Sequence, residues 1–121
     1  MSNASASVGK FLGLLMASRI RAHEFHLRTK SYAKHKALEN YYNNIPDLTD
    51  SYAETYQGLS RRLVKIQNRN TNTSKSALPY FIKLYSSISS IKLAKSGPLR
   101  NIQDEILSLL AQTIYKLKFL K

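Results

Sequence analysis

All three imidazoles of this 121-residue chain lie in one stretch, HEFHLRTKSYAKH, at His23, His26 and His35. Imidazole is the side chain that ligates metals or exchanges protons near neutral pH. Carboxylates at helical spacing can join it: Glu39, Asp50 and Glu54 follow His35 at intervals of four, eleven and four residues. At ~100° per residue, these four side chains fall within roughly a 100° arc of one helix face. Along that helix His35 and Asp50 are ~22 Å apart, whereas a metal–ligand bond is only ~2 Å. One ion in one chain therefore cannot take both. Antiparallel packing of this helix against its copy in a second subunit removes the obstacle. His26 and His35 of one chain then face Asp50 and Glu54 of the other, twice per dimer. Buried imidazoles paired with carboxylates across such an interface, with no ion between them, satisfy the same pattern. His23 falls outside it and is expected at the surface or in a capping role.

Other chemistries are poorly supported. The chain has no cysteine, which excludes disulfides, thiolate metal sites and cysteine nucleophiles. It carries no glycine-rich phosphate loop and no H-E-x-x-H. No spacing suggests a serine triad, and the Glu-x-x-His motif repeated on two helices of di-iron bundles is missing. No segment reaches the roughly 18–20 apolar residues needed to span a bilayer. FLGLLMA (11–17) belongs to an amphipathic helix, so no membrane partner is expected and the cell interior is the expected compartment.

The elements that must position these residues all read as helix, at about 7–28, 32–58, 78–95 and 98–119. In the first, Val8, Phe11, Leu12, Leu15, Ala22 and Phe25 repeat at helical spacing. Thr29 to Ser31 form a polar corner, with Ser31 as N-cap. The second carries Ala37, Leu38, Tyr41, Tyr42, Ile45, Leu48, Tyr52 and Tyr56. Pro46 either kinks it or opens a new start capped by Asn44, and Gly58 marks its end. A polar connection covers 60–77. Phe81, Ile82, Tyr85 and Ile88 are expected to face inward on the third helix. Gly97-Pro98 opens the fourth, with its stripe of Leu99, Ile102, Ile106, Leu109, Thr113, Leu117 and Leu120. Four amphipathic helices with no competing strand pattern predict an all-α protein, a four-helix bundle.

Charge is unevenly spread. The total is +12. Residues 1–59 contribute seven basic and five acidic side chains; residues 60–121 contribute twelve and two. A basic half suits an anionic partner, nucleic acid first, although a soluble charged surface explains the number equally well. Arg61, Arg62, Lys65 and Arg69 near the connection, with Lys116, Lys118 and Lys121 at the C-terminal end, are the candidate contacts.

The segment HEFHLRTKSYAKHKALENYYNNIPDLTDSYAETYQG resembles the part of the Dps-like, ferritin-superfamily proteins that builds their intersubunit ferroxidase site. It is more similar still to small phage-encoded proteins sharing an H…T-K-S-[YF]-A-x-H-K-A-L core. NIQDEILSLLAQTIYKLKFLK also resembles the ends of those proteins. The resemblance implies a ferritin-like four-helix bundle that pairs through its second helix into a homodimer, or into a larger ring or shell. It implies iron held by His26 and His35 of one subunit and Asp50 and Glu54 of its partner, Glu39 assisting, hence a ferroxidase; zinc and manganese suit the same donors. For a phage-encoded chain the host cytoplasm or the virion is the expected place. The interval between His26 and His35 is about three residues shorter than in Dps, and Leu27 stands where tryptophan is common. Those departures, with the basicity, leave a second expectation open: a non-catalytic structural or interaction protein on the same scaffold.

Overall fold

The computed structural model describes residues 3–67, 71–95 and 97–121. Four helices account for most of them: α1 (Asn3–Arg28), α2 (Tyr32–Ser60), α3 (Ala77–Ser89) and α4 (Gly97–Phe119). No strand occurs among the described residues, so the fold is all-α as expected.

The corner between α1 and α2 is set locally. Ser31 is extended and its hydroxyl accepts from the Lys34 N–H at 3.2 Å, the expected cap. α2 then runs unbroken through Pro46, although proline lacks the N–H that would bond the Tyr42 carbonyl. It also passes Gly58. The residue that closes it is Arg61, left-handed at φ 58°, whose N–H bonds Gln57 O at 2.8 Å.

α3 is shorter than the expected 78–95. Its end is rich in serine (Ser86, Ser87, Ser89, Ser90), and the Ser90 hydroxyl turns back to the Ser87 carbonyl at 2.9 Å, a competition that weakens helix continuation. Its buried face is Tyr80, Phe81, Leu84 and Ile88. Ile82 was expected inward but is 49% exposed, because adjacent apolar stripes on this helix compete and the other one wins. On α4, Leu110 is buried and Leu109 half-buried, while Leu120 lies beyond the helix and is exposed.

α1 packs against α2 and α3, and α4 packs against the same two. The core between them holds Phe11, Leu12, Leu15, Leu38, Tyr41, Ile45, Tyr52, Phe81, Leu84 and Ile106. Each such large side chain is worth about 1.5–3 kcal/mol of burial. The Tyr41 hydroxyl donates to Ser18 Oγ (2.7 Å), which donates to the Leu15 carbonyl (2.6 Å), so this core phenol is satisfied.

The connection after α2 is a crossover strapped along α1. The Gln67 backbone N–H donates to Gly9 O and its side chain to Ala6 O, both at 3.1 Å. Further along, Arg21 donates to the Ser74 carbonyl while its guanidinium lies over Phe25 and Tyr80. The contacts of Lys65, Gln67 and Ser74 with α1 are spread from Ala6 to Arg21, about 22 Å of helix. α3 therefore starts at the end where α2 started and runs parallel to it. Glycine is required beneath the strap: a Cβ on Gly9 would meet the Lys65 carbonyl oxygen, and one on Gly13 that of Gln67.

Candidate functional site: a histidine corner

His26 sits in the last turn of α1 and His35 in the first turn of α2. His26 is buried and His35 half-buried. Their rings stack with centroids 3.5 Å apart and planes inclined by 23°. His26 Nδ1 lies 2.7 Å from the His35 carbonyl oxygen, and His35 Nδ1 lies 3.0 Å from that of His26. A carbonyl only accepts, so each Nδ1 carries the hydrogen. Each Nε2 of the neutral pair is then left with its lone pair. The His26 carbonyl is one of the four that the end of α1 leaves without a helical partner, which explains why an imidazole donor is useful there.

Two further rings extend the corner. Tyr42 meets His26 edge-on at 5.2 Å and stacks on His23 at 4.5 Å. His23 is exposed, as expected, but it belongs to this aromatic group. Its spacing of three from His26 on one helix was the available signal. Tyr41 and Tyr52 are core residues, while Tyr42 and Tyr56 are partly buried against that core, so these tyrosines pack.

Glu39 is an acid on α2 that feels both His26 and His35. It accepts from Lys36 Nζ at 2.7 Å, and that hydrogen-bonded ammonium holds its carboxyl below the usual range, with smaller contributions from His26 and His35. The same contact raises Lys36. Asp50 and Glu54 are exposed on the C-terminal half of α2. Asp50 lines a groove between α1 and α2 with Met16, Arg19, Ile20 and Pro46. Because α2 is continuous, Asp50 stays ~22 Å along the helix from His35. Among the described residues, no three histidine or acidic side chains of one chain gather where an ion would bind.

The basic candidates separate into two groups. Arg61, Arg62 and Lys65 are exposed just past α2. Lys116, half-buried, and the exposed Lys118 and Lys121 lie at the end of α4, where Leu117 shares a cavity with Phe25 and Leu38. Since Phe25 ends α1 and Leu38 begins α2, the two groups occupy opposite ends of the molecule. Arg69 lies outside the described residues.

An all-helical protein with two helical hairpins joined by one strapped crossover, and a reciprocal histidine pair at its first corner, is the class these observations define. Residues 26–117, from His26 through Leu117, match a family of unknown function, DUF5856, and the chain belongs to that family. It is also similar to the "Uncharacterized 14.6 kDa protein in mobD-ri intergenic region" of Enterobacteria phage T4, 43% identical over 61 residues, which are 50% of this chain. The chain spans about half the length of that curated relative (48%). No solved structure matches it. No described helix is long and apolar enough to cross a membrane.

Proposed function

We propose that this is a phage-encoded, ferritin-like helical module that works by association, pairing with a second copy across the α1–α2 face, and that its histidine pair is a structural clasp and not a catalytic centre. The observation that carries this reading is the ring stack. Two imidazoles on one ion radiate from it, so ~2 Å bonds to a tetrahedral metal hold their centroids about 5 Å apart. At 3.5 Å and nearly parallel, His26 and His35 do not have that arrangement. As they stand in one chain, the five candidate ligands do not fit an iron centre. The single long crossover is the connectivity of ferritin-like bundles, and the phage T4 relative supports the phage setting, with the host cytoplasm as the place of action. Along the α1–α2 groove, Met16, Ile20 and Leu27 are 43%, 65% and 72% exposed, an apolar ridge suited to a copy of itself.

Light scattering at micromolar concentration is expected to give a dimer of the 13.8 kDa chain or a multiple of it, and anaerobic Fe(II) titration with a peroxide chase no stoichiometric oxidation. A monomer removes the association reading.

One observation favours iron, zinc or manganese at an intersubunit site instead. Metal-ligating histidines commonly donate their other ring N–H to a carbonyl, as both of these do, which leaves Nε2 as the ligand atom. If that reading holds, Fe(II) oxidation is lost in both His35→Ala and Asp50→Ala. Mixing the two variants then restores one of two sites per heterodimer.

A further inference from the structure

At the end of the bundle where α2 and α3 begin, a cavity of about 450 Å³ opens to solvent. Its inner wall is apolar: Phe25, Leu38, Leu78 and Leu117. Three cations, Arg28, Lys34 and Lys75, line the rest with Thr29 and the start of α3. Each cation comes from a different element: the last residue of α1, the first turn of α2, and the residue before the α3 cap. No carboxylate lines the cavity, and among the described residues none of the three cations forms an ion pair. Ser76, the α3 cap, makes no side-chain capping bond. A neighbouring cavity shares Arg28 and Lys75; its one acid, Glu24, is engaged by Arg21 at 3.1 Å.

Basic residues at a bundle end can simply offset helix dipoles. That accounts for Arg28, which closes α1. It does not account for Lys34 and Lys75, which stand at the N-terminal ends of α2 and α3, where a positive charge opposes the dipole. Local rules broken at two positions beside one cavity suggest a ligand that compensates them.

We propose that this cavity binds a phosphate monoester carrying an apolar body of nucleotide size. The phosphate lies among Arg28, Lys34, Lys75 and the Ala77 and Leu78 N–H groups that open α3 (Pro79 has none, and that of Tyr80 bonds the Ser76 carbonyl), and the body rests on Phe25, Leu38 and Leu117. The volume is within the roughly 300–1,000 Å³ of small-ligand sites.

Isothermal titration of the full chain with AMP at ~50 mM salt tests this. Saturable binding is expected, with adenosine and inorganic phosphate each at least about tenfold weaker. Lys34→Gln and Lys75→Gln should each weaken AMP about fivefold or more, while Lys83→Gln, on the exposed side of α3, leaves it unchanged. Circular dichroism of each variant establishes that the fold is retained. No saturable binding, adenosine or phosphate binding as tightly as AMP, or unchanged affinity in both Lys34→Gln and Lys75→Gln overturns the proposal.

Discussion

His26 and His35 each donate Nδ1–H to the other's carbonyl oxygen, at 2.7 and 3.0 Å, while their rings stack. The two residues therefore fasten the last turn of α1 to the first turn of α2 from both sides. If they act as a unit, His26→Ala and His35→Ala each cost about 1–3 kcal/mol, since each leaves a carbonyl without its donor. The double variant should cost about 1 kcal/mol less than the sum. Urea unfolding of the four proteins measures this, and additive costs would mean that the contacts are independent.

Two fully buried tyrosines make opposite predictions. The Tyr41 hydroxyl is bonded to Ser18, whereas Tyr52, its ring packed on Phe11, buries its hydroxyl with no hydrogen-bond partner among the described residues. Tyr41→Phe should destabilise by about 1 kcal/mol, and Tyr52→Phe should be neutral or stabilising by up to ~1 kcal/mol. Equal losses in both would show that Tyr52 has a partner in solution.

The same burial governs alkaline unfolding. Desolvation pushes Tyr52 and Tyr80 up to about 12 and Tyr41 higher still. An unfolded tyrosine ionises near ~10. The raised folded values give stability that is complete below pH ~10 and is lost as pH rises toward 12, by up to ~1.4 kcal/mol per pH unit for each tyrosine. Tyrosinate absorbance should thus rise in two stages, the second coinciding with loss of helical circular dichroism. A single stage well before unfolding would contradict this burial.

Gly9 and Gly13 supply a sign test. Helix propensity alone favours alanine over glycine by about 1 kcal/mol. The strap reverses the sign, because a Cβ at either position meets a backbone carbonyl. Gly13→Ala should destabilise by about 1–3 kcal/mol in thermal or urea melts. Stabilisation would mean that residues 65–67 do not lie on α1.

Much of this architecture could be read from the residues. Apolar periodicity located four helices and most of the core, and Ser31 capped α2 as its chemistry demands. Where the structure departs from that reading, the causes differ from place to place. Nothing in the apolar pattern marks Gly9 and Gly13 as the places where residues 65–67 come down on α1. Gly58 looks like a terminator, yet Arg61 takes the left-handed position. Phe81 and Ile82 are both apolar, so α3 offered two faces and sequence could not choose. At the candidate site, spacing brought His26 and His35 to one corner, but their stacking depends on side-chain orientations fixed only when two helices meet.

Nucleic-acid binding, if the basic groups serve it, should come from two separate ends. Arg61 and Arg62 lie about 40 Å along α2 from the end bearing Lys116, Lys118 and Lys121, and Lys65, beside Gly9, about 30 Å along α1 from it. At the latter end Tyr115 and Phe119 are 57% and 62% exposed, and Lys118 Nζ lies over the Phe119 ring, a surface on which bases can stack. Gel shifts at ~50 mM salt should be sequence-independent, with a log–log salt slope of about −0.9 per phosphate contacted. Neutralising either group should flatten the slope independently of the other. Absence of any shift assigns the positive charge to an acidic protein partner or to solubility.

The strap on α1 also divides the molecule in time. Each hairpin, α1 with α2 and α3 with α4, closes through neighbours in sequence and can form quickly. The bonds of Gln67 to Ala6 and of Arg21 to Ser74 join residues 61 and 53 positions apart, so their loop-closure entropy falls due only when the halves dock. During synthesis the bare groove at Gly9 and Gly13 waits on the ribosome for more than fifty further residues. Until the strap lies down, the first hairpin is a partly covered helix pair, and its maturation is tied to the emergence of the chain's basic second half.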